Sequence, residues 1–247
     1  MSQENKSYIP GKSGHSNRSV AFRVAQAYKM ICTNLLFTLA NAKNRVVVFS
    51  SAEPSAGKST LCSNLAIVMA QTGAKVLLID ADMRKPLQHR NFRVSKTLGL
   101  SKILGNLNTF DECIHRDITP NLDLIPSGSI PPNPSELLGS ERMTKLLEQI
   151  EAQYDYVFID SPPLGVVADA LVIAPRSAGV VLVARQKQTT YDELGECIGA
   201  IKQIDATMLG VVVTDVHSDS AGYMRYDHKR YYRSYSYEYG RRQKSDD

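Results

Sequence analysis

Two hydrophobic rhythms alternate along the chain. Short apolar runs at 45–50 (RVVVFS), 75–80 (KVLLID), 121–125 (NLDLI), 155–160 (DYVFID), 179–184 (GVVLVA) and 208–213 (MLGVVV) end in turn-forming or polar residues. Runs that are apolar on both faces predict strands of a parallel sheet, covered by helices on each side. Between them, helical spacing predicts helices over about 20–41, 58–72, 140–152, 165–174 and 190–204. Such strand–helix alternation predicts an α/β fold, doubly wound, with a mainly parallel sheet in a single domain. In these sheets ligands gather at the carboxyl ends of the strands.

Composition refines the boundaries. Residues 1–19 read as a polar N-terminal arm, 20–216 carry the α/β pattern, and 217–247 are nearly free of aliphatics but dense in Tyr, Arg, Lys and Ser. That last stretch has too little apolar surface to offset its ordering entropy, so a flexible tail is expected. No window holds 18 consecutive apolar residues, which excludes a helical membrane span. The first residues lack the apolar core of a signal peptide, so a cytoplasmic location is expected. Lys and Arg number 29 against 25 Asp and Glu, and the resulting +4 does not argue for nucleic acid. Cys32, Cys62, Cys113 and Cys197 are scattered with no C-x-x-C pair, which speaks against a zinc site or a disulfide framework.

Strand 45–50 runs into Ser51-Ala52-Glu53-Pro54-Ser55-Ala56-Gly57-Lys58-Ser59-Thr60 and then at once into an apolar-periodic helix. This is G-x-x-x-x-G-K-[ST] with Ala52 in place of the first glycine. The spacing gathers backbone N–H groups around a polyphosphate at the positive end of a helix. Pro54 to Thr60 are therefore the candidate nucleotide contacts. Lys58 is within reach of the β- and γ-phosphates, and the Ser59 hydroxyl suits a Mg²⁺ shell. Read as surface backbone, the loop predicts that replacing Lys58 leaves folding intact.

Two further strand ends carry aspartates: Leu77-Leu78-Ile79-Asp80-Ala81-Asp82-Met83-Arg84 and Val157-Phe158-Ile159-Asp160-Ser161-Pro162-Pro163. Downstream of a phosphate loop, an acidic residue at such a strand end usually orders Mg²⁺. Two acidic strand ends exceed what a minimal metal site needs, and one carboxylate is left over to accept a proton from, or orient, a nucleophile.

With the phosphate loop, the D-x-D-x-R stretch at Asp80, Asp82 and Arg84 and the D-x-P-P stretch at Asp160, Pro162 and Pro163, the chain resembles the bacterial tyrosine kinases, P-loop enzymes associated with capsule and exopolysaccharide synthesis. Pro131-Pro132-Asn133-Pro134-Ser135-Glu136-Leu137-Leu138 and a terminal tyrosine cluster support the likeness, which runs over about residues 25–240. The resemblance implies a P-loop NTPase fold, ATP and Mg²⁺ as cofactors, Asp80 as the base for a tyrosine hydroxyl, and Ser59, Asp82 and Asp160 as the metal's partners. It also implies protein-tyrosine substrates, a cognate tyrosine phosphatase, and a separate transmembrane activator whose cytoplasmic tail recruits the kinase to the inner face of the membrane. The family often carries E-x-x-R-x-x-R in its first long helix, linked to ring oligomers. Gln26-Ala27-Tyr28-Lys29-Met30-Ile31-Cys32 stands there instead, keeping one cation and no acid, so homo-oligomer formation stays open.

Seven tyrosines crowd the end of the chain: Tyr223, Tyr226, Tyr231, Tyr232, Tyr235, Tyr237 and Tyr239. From 223 to 247, seven cations stand against four acids, a balance of +3. Beside a phosphoryl-transfer site the cluster reads as an autophosphorylation segment. A solvated tail with no role, and after it a basic-aromatic strip for single-stranded nucleic acid, are the weaker readings. Two other functions compete. A partition or septum-positioning ATPase shares this fold, but carries a signature lysine where Glu53 stands. A nucleotide-gated scaffold without catalysis would need none of Lys58, Asp80, Asp82 and Asp160 intact.

Overall fold

A computed structural model describes residues 14–216. The chain divides into a compact unit up to Thr214 and a second unit from Asp215 onward, of which only Asp215 and Val216 are described. The compact unit holds one seven-stranded sheet: β1 (Val46–Ser51), β2 (Val76–Asp80), β3 (His115–Thr119), β4 (Leu122–Ile125), β5 (Tyr156–Asp160), β6 (Gly179–Arg185) and β7 (Met208–Thr214). Their spatial order is β3-β4-β2-β5-β1-β6-β7. Every neighbouring pair is parallel except β3 and β4. All six strands expected from the sequence are present, each within a residue or so of its expected bounds.

Alternation along the buried strands sends side chains to two separate cores. Val47, Phe49, Val76, Leu78, Phe158, Val181 and Val183 face helices α1 (Gly14–Leu39) and α2 (Lys58–Ala70). Phe49 and Phe158 meet edge to face there, with ring centroids 5.2 Å apart. Val46, Val48, Leu77, Ile79, Val157, Ile159, Val180 and Leu182 face the other way. On that side lie α6 (Pro134–Leu138), α7 (Glu141–Glu151), α8 (Asp169–Ile173) and α9 (Tyr191–Gln203), which contribute Leu138, Met143, Leu147, Ile150, Ile173 and Ile201. Helices on both faces of a parallel sheet make the expected doubly wound architecture.

Four short helices escaped the periodicity: α3 (Gln88–Asn91), α4 (Leu100–Leu104), α5 (Phe110–Cys113) and α6. So did β3, whose sequence HRDIT is polar and only partly buried. Helix α1 starts at Gly14, six residues ahead of the expected start and inside the stretch read as a polar arm. All four cysteines are buried and free. Among the described residues no helix is long and apolar enough to cross a membrane.

Candidate active site

The three motif-bearing strands lie side by side, in the order β2-β5-β1. Parallel register pairs Asp80 with Asp160 and Phe49 with Asp160. The sheet therefore delivers both acidic strand ends and the phosphate loop to one place, at the carboxyl edge.

The loop itself turns on two left-handed residues, Ser55 (φ 65°) and Gly57 (φ 87°). Gly57 also caps α2, whose first bond runs from Leu61 N–H to Gly57 O at 2.9 Å. The preceding helical N–H groups have no acceptor within the helix, which is what an incoming phosphate requires. Side chains from the far strands brace the loop backbone: Thr214 Oγ1 donates to Ala56 O at 2.6 Å, and Arg185 Nη1 donates to Ser55 O at 3.3 Å. Thr189 Oγ1 donates to Glu53 Oε1 at 2.6 Å. Ala52 fits beneath Gly165, where a Cβ would stand 2.2 Å from the Ala52 carbonyl oxygen.

Lys58 does not point into solvent. Its side chain is 6% exposed, and its ammonium donates to Asp160 Oδ1, a carboxylate with no exposure at all. Asp82 Oδ2 lies 3.9 Å from the same nitrogen and Ser59 Oγ 3.3 Å. Burial alone would pull the Lys58 pKa down. The charge and hydrogen bond of Asp160, with the charges of Asp82 and Asp80, outweigh it and hold the ammonium above its ordinary value.

Asp80 is buried as well, but lacks such a partner. Its Oδ2 accepts from the backbone N–H groups of Leu87 (3.2 Å) and Gln88 (3.0 Å), while Oδ1 has no hydrogen bond. Burial, and then the neighbouring charge of Asp160, push its carboxyl well above the usual carboxylate range, against the opposing pull of the Gln88 N–H and Lys58. Asp82 accepts from Lys85 N–H at 2.9 Å.

All the candidate residues from Pro54 to Thr60, with Asp80, Asp82 and Asp160, thus belong to one constellation. The seven candidate tyrosines, Tyr223 to Tyr239, lie outside the described residues. Gln88 joins the same constellation. Its side chain is buried and ties three segments together: Nε2 donates to Asp160 Oδ2 (2.7 Å) and Ser59 O (3.1 Å), and Oε1 accepts from Ser63 Oγ (2.6 Å). Eight residues beyond Asp80 and outside any recognisable motif, it carries no signal in the sequence.

A phosphate cradle at the end of an inner strand of a doubly wound sheet defines a P-loop nucleotide-binding protein. Residues 44–210 match the family described as an AAA domain. The chain is 38% identical over 189 residues to the tyrosine-protein kinase YwqD of Bacillus subtilis, covering 76% of this chain and 80% of that protein. It is 38% identical over 209 residues to the putative tyrosine-protein kinase EpsB of Ralstonia solanacearum, covering 83% of this chain but 28% of that longer protein. Its fold superposes on the kinase domain of the Escherichia coli tyrosine kinase ETK with a TM-score of 0.74 at 34% identity, over 78% of this chain and 77% of that one. A plasmid partition protein from Borrelia burgdorferi, 21% identical with a TM-score of 0.59 over 71% of this chain and 83% of that one, shares the fold. The chain belongs to the bacterial tyrosine-kinase family.

Proposed function

We propose that this chain is an ATP-dependent protein-tyrosine kinase that phosphorylates its own terminal tyrosines and proteins of capsule or exopolysaccharide synthesis. One observation carries the reading. A buried carboxylate with an unpartnered oxygen, Asp80 Oδ1, lies in register on the adjacent strand with Asp160, the carboxylate that takes the ammonium of the phosphate loop.

Ser59, Asp82 and Asp160 suit Mg²⁺. Their oxygens are hard donors, and the Lys58 ammonium already draws on all three as a cation. Bound there with the nucleotide, Mg²⁺ would neutralise phosphate charge. Lys58 stabilises charge developing on the γ-phosphoryl oxygens, and the N–H groups of the loop hold the β-phosphate. The tyrosine oxygen attacks the γ-phosphorus as the bond to the bridging β–γ oxygen breaks and ADP departs. Asp80 Oδ1 accepts the hydroxyl proton, a role suited to a carboxyl raised well above the usual range. The resemblance adds recruitment to the membrane by a separate activator and reversal by a tyrosine phosphatase. Incubation with ATP and Mg²⁺ followed by mass spectrometry tests the assignment. Phosphotyrosine within 223–239 is expected, and its absence with and without a membrane activator would overturn it.

A further inference from the structure

Two motifs take no part in the phosphate cradle: Arg84, which closes the D-x-D-x-R stretch, and the Pro131–Leu138 stretch. They meet at Asp169, in the first turn of α8. Asp169 has no exposed surface, yet no role in the chemistry so far described. Arg84 Nε donates to its Oδ2 at 3.0 Å and Arg84 Nη2 to its Oδ1 at 3.1 Å, a two-pronged pair. Ser135 Oγ donates to the same Oδ1 and accepts from Arg84 Nη2 at 3.2 Å, closing a triangle. A guanidinium gripped along one edge keeps its plane and loses little further freedom on binding.

The arginine is nevertheless 41% exposed. It borders an open cleft of about 170 Å³ lined otherwise by Pro132, Asn133, Pro134, Ser135 and Glu136. A cavity of about 150 Å³ is known to take up benzene, so the cleft has room for one aromatic ring. Proline rings and a fixed guanidinium face are surfaces on which such a ring stacks. Arg84 lies two residues past Asp82, its Cα no more than about 7 Å away. Exposed Glu136 supplies negative charge at the cleft, matching the Arg and Lys residues interleaved with the terminal tyrosines.

We propose that Asp169 is a positioning residue that holds Arg84 as one wall of the acceptor subsite, where the ring of a peptide tyrosine stacks with its hydroxyl toward Asp80. The proposal rests on the kinase reading, and its test separates the two. The probe is a synthetic peptide of residues 223–239, used as such for turnover and with every tyrosine replaced by Phe for binding, since Phe keeps the ring and accepts no phosphate. Arg84→Ala and Asp169→Asn are each expected to weaken binding of the Phe peptide about tenfold, the order of one lost cation–π stack. KM for the tyrosine peptide should rise in parallel while the nucleotide Kd stays within about twofold. Because Asp169 acts through Arg84, Asp169→Asn should add nothing in an Arg84→Ala background. Arg84 is exposed, so Arg84→Ala remains informative even where Asp169→Asn fails to fold. Undiminished Phe-peptide binding by Arg84→Ala would overturn the subsite. Additive losses in the double variant would overturn the positioning role. Arginine-dependent binding without any transfer by the wild type, with and without a membrane activator, would support the subsite and overturn the kinase reading.

Discussion

Lys58→Met tests both the chemistry of the phosphate loop and its part in folding. Viewed as exposed loop backbone, the substitution would leave the fold untouched. The structure reverses that expectation, because the Lys58 side chain is 6% exposed and pairs with a carboxylate that is not exposed at all. Removing the ammonium leaves Asp160 with the Gln88 amide at 2.7 Å and with Asp80 beside it in register. Breaking a buried ion pair on one side costs about 3–5 kcal/mol, a large fraction of the roughly 5–15 kcal/mol available to a typical domain. The flexible methionine fills the space, and the two carboxylates have the option of sharing a proton, so the lower end is expected. At about 2–4 °C per kcal/mol for a domain of this size, 3 kcal/mol lowers the melting temperature by roughly 6–12 °C. Lys58→Met with Asp160→Asn removes both charges and should recover most of that loss. Thermal melts of the wild type, both single variants and the double variant measure the coupling directly. Transfer to tyrosine should fall about 10³–10⁵-fold in every variant lacking Lys58, whatever its stability. A single variant that melts within about 2 °C of the wild type, or a double variant whose losses simply add, would refute the buried-pair argument.

Three further outcomes are expected. Asp80→Asn should cut turnover about 10²–10⁴-fold with little effect on Mg·ATP affinity, whereas Asp160→Ala should weaken both; equal affinity losses on titration would make Asp80 a metal group too. Gly165→Ala would put a methyl 2.2 Å from the Ala52 carbonyl, so a loss of about 1–3 kcal/mol in denaturant melts and weaker nucleotide binding should appear together. Replacing the seven tyrosines at 223–239 with Phe should remove most incorporated phosphate; seven phosphates would add roughly −10 to −14 against the +3 of residues 223–247, so light scattering should show wild type, but not the Phe variant, dissociating from any tail-dependent assembly as it labels.

The sheet was legible because five of its strands are apolar on both faces, and a sixth, β4, is interrupted only by Asp123. What stayed hidden lacked any such pattern. The edge strand β3 pairs antiparallel with β4 and exposes part of each side chain, so HRDIT has no apolar run to betray it. Helices α3 to α6 span four or five residues, too short for a 3.6-residue period to declare itself. Helix α8 reads longer in sequence than it is, since Leu164 to Val166 form a turn and the helix begins only at Asp169.

The site divides along the same line. Lys58, Ser59, Asp80, Asp82 and Asp160 were legible because phosphate and metal chemistry fixes their spacing from strand ends. Gln88, Thr214 and Asp169 act through contacts made across the fold, such as Asp169 to Arg84 over 85 residues, and no local spacing marks them. Spacing also identifies charges without their pairing. Three carboxylates stand against one ammonium, and Asp160 takes the ammonium directly. Asp82 lies at the margin of that pair and accepts from the Lys85 N–H. Asp80 is left with two backbone N–H groups on one oxygen and nothing on the other. Without the resemblance, the spacing of the D-x-D motif does not tell a base from a metal partner. The uneven pairing supports the proposed proton-accepting role of Asp80, whose buried carboxylate is the least compensated of the three.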